Sequence, residues 1–402
     1  MTTKDRLPWA ILFPAVLAPN LFYAAGQGAV IPVIPVLALS MGASTAQAAL
    51  IAGLLMVGEF AATLLASWLV IRIGEAPSML AGSVITIVGA VCAVTAPSMA
   101  IMGVGVFLIG CASAVFLVAR QAWVAVTVPA TQRGRAYAVV AGSQRIGILI
   151  GPFCASGVLL VTDDPRWTFG ITIACALGVI LILLLWPTPA QPHVESGGNE
   201  DMPGVLATMW QQRSVLLRLG VAAALLSSMR AVRQILIPLW GTHVGLTAVQ
   251  VTLLVGVCGA IDVILFYTGG QITDRFGRLW VTVPTMVGFA LANIGLAASS
   301  QLPGEVPFYI AMACLMALAN AISSGVNATM GADLADPRQP AAFLGSWRMM
   351  GELGSALVPM GFAALTGVLS LPIAAFAMGV LGLGGAAAML RYIPRYLPRE
   401  LR

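Results

Sequence analysis

Long apolar runs, separated by short polar segments, follow one another along the whole sequence. A helix needs roughly 20 apolar residues to cross the hydrocarbon core of a bilayer. Barrel strands are shorter and alternate between apolar and polar residues, so continuous runs of this length predict spanning helices. Twelve runs qualify, six in each half: 9–38, 46–71, 77–95, 98–127, 136–161, 167–186, 214–240, 248–270, 279–299, 306–331, 340–368 and 371–391. Pro32 and Pro35 predict a bend in the first of them.

The two halves of the chain repeat each other at a constant offset of 203 residues. The clearest copy is segment 270–278, which lies between two apolar runs and matches a weaker copy at 67–75. Matches in four regions at one ungapped spacing indicate a duplicated unit about half the chain long. The matching pairs include Pro35 and Pro238, Glu59 and Asp262, Arg72 and Arg275, Gly74 and Gly277, and Arg145 and Arg348.

One long polar stretch interrupts the apolar pattern between the halves. Residues 187–212 are first rich in proline and then in glutamate, glycine, asparagine and aspartate, which is typical of a flexible linker. We therefore predict an all-α membrane protein with twelve transmembrane helices in two pseudo-symmetric bundles. The predicted domains are a six-helix bundle at 1–186, a cytosolic linker at 187–212, and a second six-helix bundle at 213–402 that ends in a basic cytosolic tail.

Charge is scarce and unevenly distributed. Charged residues are 9% of the chain, against about 25% in a soluble domain. With the N-terminus inside, the outer loops hold only Arg166, and this asymmetry is the positive-inside bias of a membrane protein. The net charge of +5 is therefore a topology signal, and it does not indicate a nucleic-acid partner. The basic residues assigned to the cytosolic side are Lys4, Arg6, Arg72, Arg133, Arg135, Arg213, Arg218, Arg275, Arg278, Arg338, Arg391, Arg395, Arg399 and Arg402.

This distribution places both termini in the cytosol. Lys4 is the single lysine among the 20 basic residues, an arginine preference typical of GC-rich bacterial genomes. We therefore predict a multi-pass protein of the bacterial cytoplasmic (inner) membrane, acting as a monomer.

Cysteines and histidines do not indicate metal or catalytic chemistry. The six cysteines stand singly within apolar spans without CxxC spacing, as small core residues do. The two histidines, His193 and His243, lie outside the predicted spans. A phosphate-binding glycine loop and a nucleophile–base pair are also lacking. We predict that the protein is not an enzyme and uses neither a metal nor a cofactor.

Charged residues inside the spans are the strongest functional signal, because each costs roughly 2.5–3.5 kcal/mol at the bilayer centre. The repeat pairs Glu59 with Asp262 and Arg145 with Arg348, all on the order of 12–15 Å from the cytosolic ends of their spans. We predict two gating ion pairs across the interface between the halves, Glu59–Arg348 and Asp262–Arg145. The alternative is that each charge pairs within its own half, with Arg120 as the rival partner of Glu59.

Two arginines, Arg230 and Arg233, lie one helical turn apart near the middle of the seventh span. Paired guanidinium groups bind anionic or acceptor-rich solutes, and the spans hold more arginines than acids. The alternative is that the two arginines are structural counter-ions, for instance to Glu352.

Glu352 is the preferred proton-carrying carboxylate, with Glu59 and Asp262 as further coupling candidates. Burial favours the protonated acid, and the neighbouring Arg348 favours the ionised one. A conformational change that alternates these surroundings would load and release a proton. The alternative is that Glu352 is a permanently ionised structural acid.

Segment 270–278 resembles the loop signature of the major facilitator superfamily, which joins the second and third or the eighth and ninth helices. The matching residues are Gly270, Asp274, Arg275, Gly277 and Arg278. In the first half, Ser67 and Ile71 replace the first glycine and the aspartate.

Segment 147–152 resembles the fifth-helix signature of drug/proton antiporters through Gly147, Gly151 and Pro152. The fourth-helix arginine of that branch is replaced by Val106. The superfamily resemblance implies alternating access around a site lined by spans one, four, seven and ten. The residues that it places at or near the substrate are Tyr23, Gln27, Arg230, Arg233 and Asn320.

The leading functional interpretation is a secondary transporter that exports small amphipathic or anionic compounds against proton entry. Its partners would be a small-molecule substrate, protons and the lipid bilayer. One alternative is uptake of an anionic metabolite by proton symport. A further alternative is a non-transporting membrane receptor on the same fold.

Overall fold

Every regular element in the described part of the chain is a helix. The computed structural model describes residues 9–129, 132–186, 210–299, 304–323, 325–335 and 340–397. Twelve helices are long and apolar enough to cross a membrane, with mean hydropathy between 1.2 and 2.7. They are α1 (Phe13–Ser40), α2 (Thr45–Ile73), α3 (Glu75–Val94), α4 (Met99–Thr127), α5 (Arg133–Thr162), α6 (Pro165–Leu185), α7 (Arg213–His243), α8 (Ala248–Phe276), α9 (Leu279–Ser299), α10 (Glu305–Leu334), α11 (Pro340–Val368) and α12 (Leu371–Tyr396).

Two of these helices are interrupted. In α1, one helical piece ends at Val30 and the next begins at Val33, with Pro32 between them, so the helix is interrupted where a bend is predicted. In α10, Glu305–Ile322 and Val326–Leu334 are separate pieces. The predicted span at 306–331 is confirmed as Glu305–Leu334, but it is interrupted because Gly325 adopts a left-handed φ of +84°, which a helix cannot continue through.

The last helix extends beyond its predicted end at residue 391. It remains helical to Tyr396, so most of the described basic tail is a helical turn. The Tyr396 hydroxyl accepts a hydrogen bond from Arg218 Nη1 at 3.0 Å and donates one to the Ser214 carbonyl at 3.4 Å. The tail is thus tied to the start of α7. Residues 187–209 of the predicted linker 187–212, including His193, lie outside the described residues.

The repeat recurs in local backbone structure at the same offset of 203. The helices α2 and α8 begin and end at equivalent residues. A short π-helical stretch lies at the start of α1, at Phe13–Leu17, and within the first turns of α7, at Leu216–Gly220. Glycines with left-handed φ precede α2 and α8 and follow them: Gly42 (+90°), Gly74 (+88°), Gly245 (+81°) and Gly277 (+92°). Since only glycine adopts this conformation freely, the two signature glycines of the loops are structural requirements.

The chain divides into two compact units. The first comprises 1–43, 54–195 and 246–256, and the second comprises 44–53, 196–245 and 257–402. In the first unit α1 packs against α5 and α6, and α3 packs against α4 and α6. In the second, the equivalent helices pack together: α7 with α11 and α12, and α9 with α10 and α12. The predicted domains 1–186 and 213–402 differ from these units at two short segments, 44–53 and 246–256, which the units assign to the opposite half. The predicted domain bounds stay a prediction.

The fifth-helix residues Gly147 and Gly151 bring α5 into backbone contact with α1. A methyl group on Gly147 would lie 2.5 Å from the Leu21 carbonyl oxygen, and one on Gly151 would lie 2.5 Å from the Ala25 carbonyl oxygen. Facing them, a methyl on Gly28 would lie 2.6 Å from the Ile148 carbonyl oxygen. Small residues of this kind allow membrane helices to approach closely.

Candidate functional site

In the first unit, a buried polar network is centred on Arg120, which is 7% exposed. Its guanidinium donates to Asn20 Oδ1 and, at 2.7 Å, to Gln144 Oε1. Asn20 is fully buried, and its amide nitrogen donates to the Val140 carbonyl at 2.9 Å and to Ser143 Oγ at 2.7 Å. The network therefore joins α1, α4 and α5 with directional bonds.

A polar cavity of about 300 Å³ adjoins this network. Tyr23, Gln27 and Glu59, all predicted site residues, line it together with Arg120. The Tyr23 ring stacks on Phe116 with centroids 4.2 Å apart and planes 5° apart. A second, smaller pocket shares Tyr23 and Gln27 with the first. The structure thus gathers a carboxylate, a guanidinium, an amide and an aromatic face around one space.

We expect Arg120→Ala to destabilise the first unit more than its charge alone suggests. The substitution leaves the buried Asn20 oxygen and the partly buried Gln144 oxygen without this donor, and a buried group without a partner costs about 1–3 kcal/mol. Thermal unfolding in detergent should show a clear decrease in Tm, whereas Arg133→Ala near the start of α5 should show little change. Equal melting of the two variants would contradict this role for Arg120.

In the second unit, Arg233 on α7 forms an ion pair with Asp262 on α8. Arg233 Nη1 lies 3.0 Å from Asp262 Oδ2, and the two side chains are only 12% and 16% exposed. Arg348 and Glu352 form a second pair within α11, with Nε and Oε1 2.6 Å apart. The predicted pairs Glu59–Arg348 and Asp262–Arg145 each join residues of different units and stay predictions. Arg145 is not among the residues that line the first-unit cavity.

Arg230 lies at the interruption of α10. Its Nη2 donates to the carbonyl oxygen of Ser323 and, at 2.7 Å, to Ser323 Oγ. Ser323 follows Ile322, the last residue of the first helical piece, where carbonyl groups lack helical partners. Asn320, another predicted site residue, is one turn earlier, and its carbonyl accepts from Ser323 Oγ at 3.0 Å. Arg230 therefore caps a helix end within the spanning segment.

The loop signature is fixed by an ion pair that the sequence did not predict. Arg278 Nε lies 2.8 Å from Asp333 Oδ2 on α10. Gly277 makes the left-handed turn before α9. The Arg275 guanidinium lies 5.4 Å from the centre of the Phe276 ring, as Arg72 does over Trp68 at 5.2 Å. The side chain of Asp274 lies outside the described part of the structure, and a methyl on Gly270 would meet open space.

Four of the residues that organise these clusters were not predicted as site residues: Asn20, Gln144, Ser323 and Asp333. Asn20, Gln144 and Ser323 are polar residues within predicted apolar spans, which is the signal that could have found them, whereas Asp333 lies two residues beyond the predicted end of the tenth span. For Ser323 the repeat adds a second signal, because the offset of 203 takes Arg120 to Ser323.

Solved structures with the same fold are membrane transporters. A POT family transporter in complex with a thioalcohol-conjugated peptide superimposes with a TM-score of 0.77 at 12% identity, covering 96% of both chains. A D-xylose–proton symporter gives a TM-score of 0.71 at 16% identity, covering 98% of both. The nucleoside transporter NupG gives 0.78 at 11% identity, covering 95% of this chain and all of that one. At these identities the likeness shows the fold alone.

Sequence relatives agree. Uncharacterized MFS-type transporters from two strains of Mycobacterium tuberculosis are each 24% identical over 404 residues, covering 98% of this chain and 87% of the relative. The family model of the Major Facilitator Superfamily matches residues 19–359 and 219–402. The predicted fold class, twelve membrane-spanning helices of the major facilitator type, is confirmed, and so is the prediction that the protein is a transporter and not an enzyme. The chain belongs to the Major Facilitator Superfamily.

Proposed function

We propose that this transporter is a proton-coupled secondary exporter of small amphipathic or anionic compounds, working by alternating access. The observation that carries the proposal is the set of carboxylate–guanidinium contacts inside the spanning helices, Arg233–Asp262 and Arg348–Glu352. Charges within a membrane are costly and usually functional. The cavity at Glu59 adds a third acid in the first unit.

Proton coupling is assigned first to Glu352. Its contact with Arg348 favours the ionised carboxylate, and separation from the arginine in a buried site favours the protonated one. Glu59 and Asp262 are the further coupling candidates, each in a spanning helix. A movement that makes and breaks these contacts would couple proton uptake and release to the transport cycle.

The substrate class follows from the excess of guanidinium groups. The proposed substrate residues are Tyr23, Gln27, Arg230, Arg233 and Asn320. Away from their ends, the spans hold five arginines against three acids, which favours an anion or a strong acceptor: Arg120, Arg145, Arg230, Arg233 and Arg348 against Glu59, Asp262 and Glu352. The stacked Tyr23 and Phe116 rings offer an apolar face for the remainder of an amphipathic molecule.

A second candidate is uptake of an anionic metabolite by proton symport. The same arginine excess favours it, because a proton that enters with an anion neutralises the charge carried. The fifth-helix glycines that resemble the antiporter branch favour export instead. The direction of flux under an imposed proton gradient distinguishes the two.

Proteoliposomes loaded with a panel of labelled aromatic carboxylates and amphipathic amines provide the test. We expect at least one compound to move against its gradient when protons enter in exchange. Arg230→Ala and Glu352→Gln should each lower that flux at least about tenfold, the loss of roughly 1.4 kcal/mol of coupling or binding. The matched control is Arg395→Ala near the end of α12, which should retain full flux. Undiminished transport by both site variants would exclude this assignment.

The cellular setting is proposed from the sequence. The protein is a multi-pass membrane protein, and we place it in a bacterial inner membrane as a monomer with both termini in the cytosol. The positive-inside bias supports this orientation. Labelling of single cysteines introduced at Arg166 and Arg395 by a membrane-impermeant maleimide on intact cells should modify the first alone.

A further inference from the structure

Two cysteine side chains meet between α8 and α10, and neither is used in the proposed transport cycle. Cys258 is fully buried, and its thiol donates to the Ala313 carbonyl oxygen at 3.6 Å. That carbonyl belongs to the residue before Cys314, so the Cys258 thiol contacts α10 immediately beside Cys314. Both cysteines are reduced, and Cys314 is only partly buried. A reagent can therefore reach the Cys314 thiol from outside, whereas the Cys258 thiol is closed to solvent.

The two helices that carry these thiols are held together elsewhere by their backbones. A methyl group on Gly269 of α8 would lie 2.9 Å from the Ile322 carbonyl carbon and 3.0 Å from the Ala321 carbonyl oxygen of α10. This contact lies three helical turns from Cys258 along α8. Because it fixes the helix spacing, the two sulfur atoms are positioned before any ligand arrives. Such preorganisation favours a ligand that binds both thiols at once.

The surroundings select the chemical class of that ligand. Zinc and similar ions need about four protein ligands, and among the described residues there is no group of three His, Cys, Asp or Glu side chains that could hold a metal ion. A neutral compound that forms covalent bonds to two thiols needs no further ligand and can enter an apolar region.

We propose that Cys258 and Cys314 form a dithiol site for a neutral trivalent arsenical. In the reaction, R–As(OH)₂ forms two As–S bonds, each thiol proton leaves with one hydroxide as water, and arsenic stays trivalent. No electrons are transferred, so no oxidant is required. Cys258 precedes Asp262 by one helical turn on α8, so the bridge ties α8 to α10 beside the Arg233–Asp262 pair. The site does not depend on the proposed substrate or on proton coupling.

The repeat supplies a control within the same chain. The offset of 203 takes Cys314 to Cys111 and Cys258 to Leu55, so the first unit has one thiol where the second has two. A reagent that needs a pair should ignore Cys111. A reagent that binds single thiols should not distinguish it from Cys314.

The full-length protein in lipid nanodiscs, incubated with phenylarsine oxide and desalted in excess 2-mercaptoethanol, provides the test. Arsenic per chain, measured by elemental mass spectrometry, should be one for the native protein and for Cys111→Ser. It should fall to near zero for Cys314→Ser, and 2,3-dimercaptopropanol should remove it from the native protein.

A buried substitution can also disturb folding. Cys258→Ser is therefore measured beside Cys258→Ala, using only the monodisperse fraction with native-like Tm, and both should bind near-zero arsenic. Native protein without arsenic, or arsenic retained after substitution of either Cys258 or Cys314, overturns the proposal.

Discussion

Gly151→Leu should greatly lower the yield of folded protein. At this position α5 touches the backbone of α1, and even a methyl group would lie 2.5 Å from the Ala25 carbonyl oxygen and 2.6 Å from the Gly28 carbonyl carbon. The neighbours are main-chain atoms, which cannot rotate away as side chains do. Overpacking commonly costs about 1–3 kcal/mol, and a backbone clash belongs at or above the upper end. Fluorescence-detected size exclusion after extraction should show at least about a tenfold decrease in the monodisperse peak.

The control is Gly157→Leu on the same helix. A methyl group on Gly157 meets open space within 4 Å, so a leucine there projects without a clash. Leucine is also a better helix former than glycine by roughly 1 kcal/mol. We expect this variant to elute like the native protein and to melt at the same or a slightly higher temperature. If both leucine variants fold equally well, Gly151 is not required for the close approach of α1 and α5.

Apolar length alone was enough to predict the twelve helices, because each span must satisfy its backbone internally in a bilayer. The interruption of α10 was not predictable in the same way. Gly325 lies in a run rich in small residues, and glycine is also common in continuous membrane helices. Only the Arg230 contact to the Ser323 carbonyl shows that this helix end is used.

The sequence was enough to predict which charged residues belong to the candidate site. It was less able to predict which of them form ion pairs with each other. Depth along the spans placed Asp262 and Arg145 at similar levels, but sequence cannot give the rotation of one helix against another. That depth argument favoured Arg145 as the partner of Asp262, and this pair between the units stays a prediction. Within the second unit, Asp262 contacts Arg233 at 3.0 Å. The Arg348–Glu352 contact follows from i,i+4 spacing on one helix and needed no tertiary information.

The repeat shows how the two units have diverged around one guanidinium each. The offset of 203 takes Gln27 to Arg230 and Arg120 to Ser323. In the first unit the arginine comes from α4 and is bound by the side-chain oxygens of Asn20 and Gln144. In the second unit it comes from α7 and is bound at Ser323, where the helix break frees a carbonyl. The arginine therefore lies on non-equivalent helices in the two units, and the groups that accept its hydrogen bonds differ accordingly.

Removing one partner of the Arg233–Asp262 pair should be strongly destabilising. Arg233→Leu leaves the Asp262 carboxylate in a site that is 16% exposed, and breaking a buried pair in this way costs about 3–5 kcal/mol. Thermal unfolding in detergent should show a clear decrease in Tm. The matched control is Arg395→Leu, which replaces an exposed arginine near the end of α12 and should change the Tm little.

The double variant Arg233→Leu, Asp262→Leu separates stability from function. Replacing a whole buried pair with apolar residues is often neutral or stabilising, so we expect the double variant to regain most of the Tm lost by Arg233→Leu. Because both the proposed anion-binding group and a proposed proton carrier are gone, its proton-driven flux should remain at least about tenfold below native. A double variant that folds and transports normally would make this pair structural only. Recovery of stability with loss of flux would instead show that the pair is needed for transport and not for stability.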